Sequence, residues 1–97
     1  MQYGFDEYAI IFKAMSDETR LKILAMLTKG ATCACHILEE FHFTQPTLSY
    51  HMKQLTDSGL VVANKKKKWV YYSINKERMN LLHEYISKLI EPNTELL

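Results

Sequence analysis

Glycine and proline are scarce in this 97-residue chain, at three and two residues, and cysteine occurs only twice. So few glycines leave no phosphate-cradling loop, and two cysteines one residue apart cannot build a disulfide framework. No stretch approaches the roughly 18 apolar residues that span a bilayer. Asp6 and Glu7 lie where a leader peptide would carry a basic stretch. These absences predict a cytoplasmic protein with no membrane partner. They also argue against a thiol enzyme, because no Cys-x-x-Cys and no second cluster of metal ligands accompanies the pair. What is present, 47% hydrophobic and 24% charged residues, is ordinary for a soluble globular protein, and residues 1–97 are expected to form one domain. A core this small leaves apolar surface on the terminal helices, which favours a dimer.

The formal net charge of +1 hides a strong local field. Residues 61–76 hold Lys65, Lys66, Lys67, Lys68 and Lys76, and all eleven acids lie outside that window. A basic patch on an otherwise balanced chain suits a molecule that touches a polyanion at one place.

Apolar periodicity sets the elements. Phe5, Tyr8, Ile11, Phe12 and Met15 recur at helical spacing, which predicts a first helix over 5–15. Ser16 is the expected N-cap of a second helix, with Asp17 and Glu18 against its positive end and Lys29-Gly30 closing it. Thr32 is the expected cap of a third helix running to about Phe41. Thr44 is the expected cap of a fourth, with Pro46 in its first turn, an apolar stripe of Leu48, Met52 and Leu55, and a stop at Gly59. The period then changes: Leu60 to Ala63 and Trp69 to Ile74 read as strands flanking Asn64 and the four lysines, a hairpin. Met79, Leu82, Ile86, Leu89 and Ile90 restore helical spacing from Glu77 to Ile90, before Pro92 opens a short tail. The fold class that follows is mainly α with a small β-hairpin, a winged helix-turn-helix in the order α-α-α-α-β-β-α.

The third and fourth helices form the helix-turn-helix, whose second helix offers its N-terminal residues to a DNA major groove. With the apolar stripe facing inward, Gln45, Thr47, Ser49 and Tyr50 are candidates for base or sugar contacts, His51 lies nearer the backbone, and Lys53, facing away from the stripe, is a further DNA-binding candidate. Lys65, Lys66, Lys67 and Lys68, at the hairpin tip, cannot be buried unpaired and suit phosphate contact or a minor groove. Trp69, Tyr71 and Tyr72, on alternating strand faces, read as hairpin packing.

Cys33 and Cys35 carry the remaining chemistry. If Thr32 caps the third helix, both thiols fall in its first turn, beside free N–H groups that favour the thiolate. Residues two apart on a helix point about 200° from each other. Holding one ion between both sulfurs should then unwind that turn and disturb the neighbouring recognition helix. Zinc normally needs four ligands, whereas trivalent arsenic or antimony is satisfied by two protein sulfurs and an outside thiol. His36 is a possible third ligand. The same thiols also fit an oxidation sensor or a sensor of another soft metal, and the fold alone also fits a protein-interaction module.

The runs Ser16 to Leu24, Cys33-Ala34-Cys35, Phe43 to Leu55 and Gly59-Leu60-Val61 resemble the ArsR family of winged helix-turn-helix repressors, in particular its arsenic-sensing members. The resemblance covers about Met15 to Ile74. It implies a homodimer built from the first and last helices that binds double-stranded operator DNA and represses a metalloid-resistance operon. It also implies release when arsenite or antimonite, the inducer, binds Cys33 and Cys35; no resident cofactor is required. The chain departs from the family pattern at His36, where an acid is usual, and at Leu38, where some arsenic sensors carry a third cysteine. His83 with Glu84 is too sparse to reproduce the last-helix ligand set of the zinc sensors.

Overall fold

A computed structural model describes residues 4–91. The order is α1 (Phe5–Met15), α2 (Glu18–Leu27), β1 (Thr32–Cys33), α3 (Ala34–Phe41), α4 (Gln45–Asp57), β2 (Val61–Lys66), β3 (Trp69–Ile74) and α5 (Lys76–Ile90). The five helices fall where apolar spacing puts them. The tail expected from Pro92 onward lies outside the described residues.

Three local expectations are corrected. Ser16 does not cap α2: its hydroxyl turns back to the Lys13 carbonyl at 2.8 Å and ends α1. The cap is Asp17, whose carboxylate accepts the Arg20 N–H at 3.0 Å. Both residues are good caps by type, and Asp17 prevails because its backbone is already extended (φ −141°, ψ 130°).

Thr32 does not cap α3 either. Thr32 and Cys33 form a short strand opposite Tyr72 and Tyr71, so the expected two-stranded wing is a three-stranded antiparallel sheet in the order β1-β3-β2. A two-residue strand has no periodicity of its own and exists only because β3 offers it a partner. The third correction concerns the hairpin tip. β2 continues through Lys65 and Lys66, which pair with Val70 and Trp69, leaving Lys67 and Lys68 as the turn. Lys67 adopts the left-handed conformation (φ 59°) that closes it.

One cluster of buried side chains joins the elements: Ile11 and Ala14 from α1, Ile23, Leu24 and Leu27 from α2, Ile37 from α3, Leu48, Met52 and Leu55 from α4, Leu60 and Val61, and Leu82 from α5. The stripe 48-52-55 is therefore the inner face of α4, as expected, and it fixes which residues that helix displays. Between α3 and α4 the chain turns over His42, Phe43 and Thr44. His42 takes a left-handed C-cap (φ 56°), and Thr44 caps α4 by accepting the Thr47 N–H at 3.4 Å. Gly59, at φ +85°, turns the chain out of α4, and a Cβ there would collide with the Arg78 guanidinium.

Candidate nucleic-acid interface and thiol pair

The first two turns of α4 present a polar exposed surface. Gln45, Thr47, Ser49 and Tyr50 are all exposed, and Tyr50 remains 58% accessible. The Thr44 hydroxyl donates to the Thr47 hydroxyl at 3.0 Å, which orders the helix start. Lys53 is exposed but engaged, its ammonium lying 3.1 Å from the Asp57 carboxylate one turn on. Lys65, Lys66, Lys67 and Lys68 are all exposed on the wing, and the Lys68 ammonium sits 5.5 Å from the Trp69 ring centre. Trp69 remains exposed, while Tyr71 and Tyr72 are partly buried on the sheet. Burial pushes the Tyr72 phenol above its ordinary value and keeps it neutral.

His51 behaves differently from its neighbours on α4. It is half-buried, and its Nδ1 lies 3.1 Å from a terminal nitrogen of Arg20. Arg20 is itself buried, at 8% accessibility, and its Nε donates to the Ala14 carbonyl at 2.7 Å. Its guanidinium carbon stands 5.9 Å from the centre of the Tyr50 ring. Sequence reasoning missed Arg20, because an arginine in the first turn of a helix looks like solvated surface. The partners that bury it come from α1 and α4 and leave no local signal.

The cysteine pair departs from the expected geometry. Cys33 is the N-cap of α3, with extended backbone (φ −66°, ψ 139°), and not its first helical residue. Its side chain therefore swings back over the first turn: its sulfur accepts the Cys35 N–H at 3.3 Å and meets the Cys35 sulfur, paired as a disulfide, with the Cα atoms 5.2 Å apart. The expectation of two sulfurs pointing apart, brought together only by unwinding the helix, is overturned. The disulfide joins them across the start of α3. His36 does not join them; its ring faces Glu39 at 3.9 Å on the exposed side of α3. Among the described residues no three His, Cys, Asp or Glu side chains group as a metal site, so the Cys33, Cys35, His36 set is not assembled.

The fold and the sequence both place this chain among known regulators. The family described as "Bacterial regulatory protein, arsR family" matches residues 17–62, which run from the cap of α2 into β2. An arsenical resistance operon repressor of Staphylococcus xylosus is 42% identical over 81 residues, covering 84% of this chain and 78% of that protein. The chain belongs to the ArsR family. A second arsenical resistance operon repressor, from Staphylococcus aureus, is 46% identical over 72 residues, with 74% of this chain and 69% of that protein covered. The fold is also that of a homodimeric winged helix-turn-helix DNA-binding domain from Mycobacterium bovis, at TM-score 0.72 and 24% identity over 96% of this chain and 90% of that one. The ArsR chain is accordingly a DNA-binding regulator of transcription and not an enzyme. Among its described residues no helix is long and apolar enough to cross a membrane.

The cap beneath the interface titrates. The Arg20 N–H is the largest influence on Asp17, and it holds the carboxyl below its ordinary value; desolvation, the next largest, opposes this, and the nearby positive charge, first of Arg20, adds to the lowering. A carboxyl depressed in the folded state contributes stability above its unfolded value, near pH 4, and loses it as pH falls through the lower folded value. Asp17→Ala should cost about 1 kcal/mol at neutral pH. Asp17→Asn, which keeps an acceptor without the charge, should cost less and flatten the stability profile below about pH 4. Urea melts of the three proteins from pH 2 to 7 check this; an unchanged acid limb in Asp17→Asn refutes it.

Proposed function

We propose that this ArsR-family chain is a metalloid-responsive repressor that binds operator DNA as a homodimer and is released when arsenite or antimonite binds Cys33 and Cys35. The observation that carries the reading is the contact between the two sulfurs at the junction of β1 and α3, the helix that precedes the recognition helix. The names of the staphylococcal relatives support the inducer class. In the reduced pair, arsenous acid exchanges two hydroxides for two thiolates. Two As–S bonds form, and the thiol protons leave with the hydroxides as two waters. The third position on arsenic stays with hydroxide or passes to an outside thiol.

An arsenic atom between the sulfurs forces them out of direct contact. Cys33 is both a strand residue paired with Tyr71 and the cap of α3, so the displacement acts on the seat of α4. If the inducer binds the displaced form better, it shifts the population from the DNA-competent form, and DNA weakens the inducer by the same factor. On the DNA side, Gln45, Thr47, Ser49 and Tyr50 reach base edges or sugars, His51 and Lys53 lie at the backbone, and the four wing lysines take phosphates.

The dimer surface in this reading is α1 and α5. Tyr8 and Tyr85 stack at 4.4 Å to join the two helices within a protomer. Phe5 and Ile10 on α1, and Ile86, Leu89 and Ile90 on α5, are left exposed, with Leu89 at 59% and Ile90 at 76%. Apolar surface gathered on two adjoining helices is what a symmetric partner covers. A second reading uses the same sulfurs without metalloid. Peroxide oxidises the two thiols to the disulfide and is itself reduced to two waters, and the sulfur contact favours that chemistry.

Arsenite should release a DNA duplex selected by the reduced wild-type protein from a random library, and Cys33→Ser should bind that duplex but resist release. Retention of DNA by wild type under saturating arsenite refutes the inducer assignment, and release by peroxide in metalloid-free buffer selects the second reading. Leu89→Glu with Ile90→Glu should give monomers by sedimentation and lower DNA affinity; an intact dimer places the interface elsewhere. Replacing Lys65, Lys66, Lys67 and Lys68 by Gln should reduce the slope of log affinity against log salt by about 0.9 for every phosphate that the wing no longer neutralises. An unchanged slope removes the wing from the interface.

A further inference from the structure

Arg20 is the one buried charged side chain in the described core, and three separate elements meet at it. A guanidinium taken out of water is costly unless its donors are paired. Here Nε is satisfied by the C-terminal part of α1, through the Ala14 carbonyl, and a terminal nitrogen by His51 of α4. Arginine has donors and no acceptor, so in the Arg20–His51 contact the lone pair must be on Nδ1 of the imidazole. A neutral His51 then carries its proton on Nε2.

The ring is held from other sides as well. Phe43, in the turn before α4, lies 5.6 Å from it centre to centre, and Tyr50 meets it edge-on at 5.3 Å. Tyr50 also lies within cation–π range of the same guanidinium. One arginine therefore fixes the orientation of two consecutive side chains on the recognition helix.

We propose that Arg20 is a positioning residue for DNA recognition: it locks His51 as the Nε2–H tautomer and ties the outer face of α4 to the end of α1, so that Tyr50 and its neighbours meet the duplex in one geometry. The proposal rests on α4 being the DNA-reading helix and is independent of the metalloid. Two consequences separate it from ordinary packing. The first is the tautomer. The second is that His51 acts chiefly through Nδ1, the atom facing Arg20, and less through a contact of Nε2 with DNA.

Long-range nitrogen–proton NMR of the reduced, metalloid-free protein at pH 8 should show His51 as Nε2–H in the wild type, and as a tautomer mixture in Arg20→Lys, which keeps the charge but not the fork. His51→Asn retains an acceptor near the Nδ1 position, whereas His51→Gln places its amide near Nε2. Affinity for the duplex selected by the wild type, without arsenite, should fall roughly tenfold further in His51→Gln than in His51→Asn. Arg20→Lys should weaken binding by a similar factor, with its Cys33–Cys35 chemistry toward arsenite unaltered. The Nδ1–H tautomer in the wild type overturns the proposal, even if Arg20→Lys fails to fold. The opposite order of the two His51 variants overturns it too, by assigning His51 a direct contact. Failure of arsenite to release wild-type DNA bears only on the inducer and leaves these readouts intact.

Discussion

Two residue pairs of backbone, Thr32 with Tyr72 and Cys33 with Tyr71, connect everything on this chain that has chemistry to offer. Tyr71 and Tyr72 belong to β3, which on its other edge pairs with the lysine-bearing β2. Cys33 is the last residue before α3, and α3 leads through a three-residue turn into α4. The wing, the thiols and the helix-turn-helix thus share one strand. The extended backbone that this pairing imposes on Cys33 is also what turns its sulfur toward Cys35. Each backbone hydrogen bond contributes a net of about 1 kcal/mol. A strand of two residues is therefore a contact that a ligand can exchange for bonds of its own while the core stays folded.

That core explains how α4 can be anchored and displayed at once. Leu48, Met52 and Leu55 are almost wholly buried against residues from the other helices, so the helix cannot rotate without exposing them. Rotation about the helix axis is fixed by apolar packing, but packing is tolerant of small tilts. The polar contacts at its rim are directional and supply the finer constraint. Arg20 reaches from α2 to α1 and α4 with geometry that admits little variation, and among the described residues no buried side-chain nitrogen or oxygen lacks a partner.

Much of this was readable from residue order. The apolar periods locate the helices, Thr44 caps α4 as its type suggests, and the stripe 48-52-55 identifies the inner face. Helix geometry puts Tyr50 opposite that stripe and Thr47 and Ser49 beside it, but Gln45, seven residues before Met52, shares the side of the stripe, and its exposure does not follow from it. What sequence could not show depends on partners far along the chain. β1 owes its existence to Tyr71, 38 residues after its partner Cys33, and to Tyr72, 40 residues after its partner Thr32. Arg20 owes its burial to Ala14 and to His51, 31 residues away. The choice of Asp17 over Ser16 as a cap was settled by which residue had extended backbone, a matter of how α1 meets α2. The error about the sulfurs descends from that same kind of blindness, because a cap displaced by one residue reverses the direction in which Cys33 points.

The geometry of the thiol pair also bears on which ions the proposed sensor accepts. Once the disulfide is reduced, the two neighbouring sulfurs, with His36 turned to Glu39, would offer the proposed sensor a narrow two-donor site. A tetrahedral ion such as zinc, left with half its ligands as water, gains little there over its hydrated form. A pyramidal thiophilic centre needs fewer donors, and two of its three bonds to sulfur already come from one chain. Selectivity then follows from the number of donors the fold brings together, and not from their softness alone. The same shortage of donors leaves the third bond open to solutes outside the protein, so inducer affinity in this mechanism depends on the surrounding thiol concentration as well as on the chain.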